Sequence, residues 1–187
     1  MAKNYQERII YGMSNIHVAK FNPEQKTYEA PVAILGAKSV ECTYEAQSTS
    51  ISADDKVVYT VSSMAEGSGS LTVLGLTGEE KKLIFGGKAT KGFALGVDDV
   101  QPQMALLFEQ KKADGKKMLY CIFNVKFNPA GLSATSIEGG QIEEQTISLD
   151  FTSIANEDGY FYYVVDTGEE GMDSIATTWY TAVPEVQ

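Results

Sequence analysis

Histidine occurs once in this 187-residue chain, at His17, tryptophan once, at Trp179, and cysteine twice, at Cys42 and Cys121. A Ser-His-Asp or Cys-His catalytic set would have to use His17. That residue sits in the middle of a strand pattern and reads as a packing or hydrogen-bonding residue. One histidine and two well-separated cysteines do not assemble a tetrahedral zinc site. Both cysteines fall on apolar faces of strand patterns, so they read as small core residues in a reducing compartment, not as a disulfide. No apolar run approaches membrane-spanning length. Residues 1–8 lack the apolar stretch of a signal peptide, so the expectation is a product made in the cytosol, with no membrane partner.

Positive charge is also short. Fifteen Lys and Arg stand against 25 Asp and Glu, a formal net charge of −10, and the pI is about 4.6. Such a surface repels phosphate backbones and anionic lipid heads, which excludes tight nucleic-acid binding. The carboxylates come as neighbours: Asp54/Asp55, Asp98/Asp99, Glu143/Glu144 and Glu169/Glu170. A glycosidase needs two carboxyls facing each other across a cleft. Adjacent strand residues point to opposite faces instead, so these pairs read as solvated loop charge. No loop has the acidic spacing of an EF-hand. Gly67-Ser68-Gly69-Ser70 precedes a strand and carries no lysine, unlike a phosphate loop. The expectation is a non-enzyme with no cofactor and no metal.

What the chain does have is strand pattern and turn residues: ten Tyr, eight Phe and 17 Gly against five Pro. The stretch from Ser39 to Leu76 organises it. Val40, Cys42 and Tyr44 point one way, Ser39, Glu41, Thr43 and Glu45 the other. A long polar excursion through Asp54 and Asp55 follows, and the chain returns through residues 57–61 and 70–76. Connections of that length are disordered or functional, and this one reads as a docking element.

Further strands are expected at residues 15–21, 32–35, 93–97, 103–110, 118–127, 145–152 and 159–166, with a bulge at Gly36. The pair 103–110 and 118–127 reads as a hairpin, with Asp114-Gly115 at its turn. The four lysines at that tip read as guards against aggregation. Thr77-Gly78-Glu79-Glu80 has capping-box form and predicts one short helix, ended by Gly86-Gly87. A Gly/Ser/Glu-rich connection spans residues 128–143. The domain reading is an N-terminal arm at 1–13, a β domain at 14–166 with a long loop region at 44–69, and a C-terminal arm at 167–187. The fold class is mainly β: an antiparallel β-sandwich or partly open barrel with one short α-helix.

Several segments together resemble a known family. These are Tyr11-Gly12-Met13-Ser14-Asn15-Ile16-His17-Val18-Ala19, then Pro31-Val32 with Gly36-Ala37, then residues 50–60 with Ala53-Asp54-Asp55 and Tyr59. Ser70-Leu71-Thr72-Val73 leading to Leu83 and Gly86 follows, then Pro102 with Ala105-Leu106-Leu107-Phe108, and Glu144-Gln145-Thr146 with Leu149. In order and spacing they resemble the major tail proteins, the tail-tube subunits, of long non-contractile-tailed bacteriophages of Gram-positive hosts. The aromatic, acidic tail after Asn156 departs from that pattern.

The resemblance implies a virion structural protein made in the host cytoplasm. Six copies close a ring, and rings stack into a tube through which DNA leaves the capsid. Tape measure, tail terminator and distal tail proteins are the implied partners, and no catalytic residue belongs to the family. Contacts between subunits or rings would fall to the long connection and the arms. Tyr5, Ile9, Tyr11, Thr49, Ile51, Asp54, Asp55 and Tyr59 are the candidates. Glu41 and Glu45, then Asp150, are the candidates for charge facing the lumen. Six copies at −10 each carry −60 per ring, a wall from which DNA is repelled, so that it passes without adhering. The competing reading is a carbohydrate-binding or host-attachment β-sandwich. Its candidate aromatics are residues 160–163 and Trp179.

Overall fold

The period-two patterns become nine antiparallel strands in the computed structural model, which describes residues 5–87, 91–132, 134, 136 and 144–186. They are β1 (Ile10–Asn22), β2 (Thr27–Tyr28), β3 (Val32–Ala33), β4 (Ala37–Ala53), β5 (Lys56–Val73), β6 (Met104–Lys112), β7 (Lys117–Phe127), β8 (Ile147–Ser153) and β9 (Tyr162–Asp166). All belong to one sheet, ordered β2-β1-β6-β7-β8-β5-β4, with β3 also on β1 and β9 beside the first half of β7. Although they lie far apart in that order, β1 and β4 come into contact. The sheet therefore curls on itself as a partly open barrel.

Inside the curl lies the main core: Ile16 and Val18 of β1, Leu71 and Val73 of β5, Met104 and Leu106 of β6, Val125 and Phe127 of β7, and Leu149 and Phe151 of β8. Helix α1 (Gly78–Phe85) closes it with Ile84 and Phe85. The predicted capping box is present. Thr77 accepts from the Glu80 amide, and the Glu80 carboxylate accepts from the Thr77 amide at 2.7 Å. Gly86 ends the helix in the left-handed region, at φ 76°.

The second core lies on the other side of β1, β6 and β7, around Ala105, Leu107, Leu119, Cys121 and Phe123. It is roofed by the C-terminal segment, whose second helix α2 (Asp173–Thr178) leads into Trp179, 1% exposed. β6 is consequently buried on both faces, which explains its continuous apolar run, Met104-Ala105-Leu106-Leu107.

Several expectations change. The supposed loop at 44–69 is a ladder: β4 and β5 stay paired from Ala37↔Val73 out to Ala53↔Lys56. The serines, Thr49 and the aspartates of residues 46–55 read as a loop, and only the return through 57–61 carried a run of strand residues. Among the described residues one α-helix becomes two. β1 begins at Ile10, inside the predicted arm, because it pairs there with Lys112 of β6. Residues 93–97 form no strand. The Asp99 carboxylate accepts from the Gly96 amide at 2.7 Å and curls that segment into a turn. Gly36 occupies a turn at φ 78°, and the bulge follows between Ala37 and Ser39. Most of the connection at 128–143, with Glu143, and residues 1–4 of the N-terminal arm lie outside the described residues.

Candidate assembly surfaces

Past Gly67 the β5–β8 ladder ends, and β4 and β5 run on as a free two-stranded ribbon. Eight residues of β4, 46–53, carry it roughly 25 Å beyond the sheet. Its tip is a two-residue turn with both central residues in the left-handed region, Asp54 at φ 50° and Asp55 at φ 57°. That is the type I′ geometry that matches strand twist, and aspartate is among the few residues that tolerate it. Hydroxyl pairs line one side of the ribbon: Ser48 with Ser62 at 2.8 Å and Ser50 with Thr60 at 3.3 Å. The other side carries Ile51 opposite Tyr59 and Thr49 opposite Val61. Ile51 is 53% exposed and Tyr59 63%. A lone two-stranded ribbon is marginal in water, and exposed apolar rows on one mark a surface that gains from a partner.

The eight predicted contact residues fall in two places. Thr49, Ile51 and Tyr59 share that apolar side, and Asp54 and Asp55 form the tip. Tyr5 belongs to a short 3-10 helix (Tyr5–Arg8), while Ile9 leads into β1 and Tyr11 lies at the start of β1, paired with β6 beside the β6–β7 turn. All three are exposed.

The outer face of β4, β5 and β8 is polar row by row. Ser39, Thr72 and Ser148 stand side by side, then Glu41, Ser70 and Asp150, then Thr43, Ser68 and Thr152, with Lys126 of β7 completing the last row. Glu41 and Asp150 are thus brought onto one face, two strands and about 10 Å apart. Both are exposed, as is Glu45 further along β4. The opposite face of the same strands is core, with Val40, Leu71 and Leu149 in one row.

Two buried charge clusters escaped sequence reasoning. Glu109, 2% exposed, accepts from Asn15 Nδ2 at 2.8 Å, Lys117 Nζ at 2.9 Å and Ser14 Oγ at 3.3 Å, all at Oε1. Tyr180 OH donates to its Oε2 at 3.1 Å and ties the C-terminal segment down. Lys112, 3% exposed, donates to Asp166 at 2.6 Å and lies 3.6 Å from Asp114. The hydrogen bond to Asp166 holds the Lys112 ammonium above the ordinary lysine range, against the pull of burial. Burial pushes the Asp166 carboxyl up, but the Lys112 ammonium and the Gly168 amide outweigh it and hold it below the usual carboxylate range. The lysines at that tip are therefore not all solvent-facing guards, since Lys112 and Lys117 both serve ion pairs. The one available signal was charge inside a run of strand residues.

His17 packs its ring on Tyr180, with centroids 4.4 Å apart, and its Nδ1 lies 3.0 Å from the Asn15 carbonyl. Both cysteines are free thiols, and burial pushes the Cys121 thiol up. Among the described residues no cluster of His, Cys, Asp or Glu is arranged to hold a metal ion. No helix there is long and apolar enough to cross a membrane. Trp179, one of the candidate sugar-stacking aromatics, lies in the second core against Tyr163, at 5.8 Å between rings.

A comparison with curated proteins gave no match. The family model for phage tail tube proteins matches residues 27–174, a span holding β4, β5, β8 and α1 complete. With its protruding ribbon and one-sided polar sheet, the chain belongs to the phage tail tube protein family.

Proposed function

We propose that six copies of this chain close into a ring and that rings stack into the tube of a phage tail, a conduit for DNA ejection. Family membership makes the protein a structural component of the virion that assembles with other tail components. The observation that carries the finer reading is the sidedness of β4, β5 and β8: hydroxyls and carboxylates on one face, core on the other. Placed toward the lumen, Glu41, Glu45 and Asp150 present a wall that DNA passes without adhering. The ribbon reaches the next ring through Thr49, Ile51, Tyr59, Asp54 and Asp55. Tyr5, Ile9 and Tyr11 meet a neighbouring subunit, and ring closure pairs the free edge of β4. Tape measure, terminator and distal tail proteins meet the ends of the tube, and synthesis is in the host cytoplasm.

Excision of residues 47–63, with Asn-Gly joining Ala46 to Met64, removes the ribbon without touching either core. The shortened protein is expected to fold with its parent melting temperature and to form no tubes in negative-stain micrographs. Tubes of normal length from this variant would refute the stacking role. Cryo-electron microscopy that put Glu41 and Asp150 on the tube exterior would refute the lumen assignment.

A further inference from the structure

Where the sheet narrows from three strands to two, several features coincide. The β5–β8 ladder ends with Gly67 opposite Ser153. There also lies a bulge: two steps along β4, from Tyr44 to Ala46, match three along β5, from Gly67 to Met64. Bulges bend the strand that carries them and sharpen its twist. The Tyr44 ring lies across this point, edge-on to Phe161 at 5.3 Å and tilted against Tyr162 at 5.4 Å. Gly67 makes room for it, since a Cβ there would stand 2.5 Å from Tyr44 Cε1 and 2.7 Å from Ser153 Oγ. The Tyr44 hydroxyl and Ser153 Oγ are buried, and among the described residues neither has a well-formed hydrogen bond, the hydroxyl making only weak contacts with Ser153 and Cys42. A buried hydroxyl so poorly partnered stabilises little, so the ring does most to hold Tyr44 in place.

We propose that Tyr44 is a positioning residue for assembly: seated on Gly67 and wedged against Phe161 and Tyr162, its ring sets the angle at which the β4–β5 ribbon leaves the sheet. Beyond it, residues 46–64 have no such support, and those whose side chains are described are exposed on both faces. A rotation of about 10° at the root moves a tip about 25 Å away by about 4 Å, nearly one strand spacing. The clamp therefore decides whether the apolar side of the ribbon meets its target. That use rests on the tube reading above; the clamp itself does not.

Spin labels at Lys56→Cys near the tip and Lys126→Cys on the sheet, in a Cys42→Ala background, report the ribbon's direction in the monomer. Cys121 is fully buried and stays unlabelled. The parent is expected to give one narrow distance distribution, and Tyr44→Phe to keep it. Tyr44→Ala is expected to widen it about twofold while amide exchange in the β5–β8 ladder stays at the parent level. Gly67→Ala, which expels the ring, should shift its mean. A narrow, unshifted distribution in Tyr44→Ala overturns the clamp, and should that variant not fold, Tyr44→Leu is read the same way. In micrographs Tyr44→Phe should form tubes and Tyr44→Ala should not, so full-length tubes from Tyr44→Ala overturn the positioning role. A parent that forms no tubes while the distances behave as expected sinks the tube reading and leaves the clamp standing.

Discussion

Replacing Tyr180 by Phe tests whether the C-terminal segment is latched by the buried Glu109 carboxylate. Three donors converge on Glu109 Oε1, but Tyr180 is the one described donor to Oε2, at 3.1 Å. Phenylalanine keeps the ring that packs, tilted, against His17 and removes that donor alone. A hydrogen bond to a charged group contributes about 1.5–3 kcal/mol, and its loss here leaves a buried carboxylate oxygen unpaired, so about 2 kcal/mol is the expected cost. In a chain of this size each kcal/mol moves the melting temperature by about 2–4 °C, which gives a fall of about 4–8 °C by scanning calorimetry.

The location of the effect is as diagnostic as its size. Backbone hydrogen bonds within 172–182 are local, such as Ala176 N to Met172 O and Thr181 N to Thr178 O. Amide exchange should therefore rise first across 175–186 and leave β7 unchanged. Adding Glu109→Gln to Tyr180→Phe should cost less than the two single changes summed, with a coupling of about 1 kcal/mol or more. A melting point within about 1 °C of the parent would refute the latch, since the segment would then be held by Trp179 and its aliphatic neighbours alone.

Burial pushes the phenol of Tyr28 up to about 12, and burial with Glu109 raises that of Tyr180 further. The native state favours both phenols neutral, so their stabilisation is complete below about pH 10, where the unfolded phenols are protonated. It should fall as pH rises from 10 through 12, and urea midpoints unchanged across that window would contradict the burial of both rings. Exchanging Asp54-Asp55 for Asn-Gly replaces two strained left-handed residues by the preferred pair and should stabilise the ribbon by about 1 kcal/mol. Slower amide exchange in 46–64, together with weaker tube formation, is the expected pair of results. Unslowed exchange would argue against the turn geometry, and undiminished tube formation would argue against the tip carboxylates as contacts.

Local interactions were legible in the residues themselves. The Thr77–Glu80 capping box spans three residues, and its partners are fixed by helix geometry. The alternation of β8 and the turn joining β6 to β7 are equally local, and they appear near where the pattern puts them. The polar side of β4 could be read the same way, so Ser39, Glu41 and Thr43 were assignable to one face before any fold was known. Family resemblance lay in the order of these short signals.

Tertiary structure decided what depends on partners distant in the chain. Glu109 and Ser14 lie 95 residues apart, and no local rule marks a glutamate in β6 for burial; the converging donors from β1, β7 and the C-terminal segment do. The two-sided burial of β6 likewise follows from curling the sheet and folding Trp179 back over it. The ribbon at 46–64 was legible only in part: Val57, Tyr59 and Val61 marked a returning strand, but the polar residues 46–53 are a strand because they pair with it, which no local pattern records.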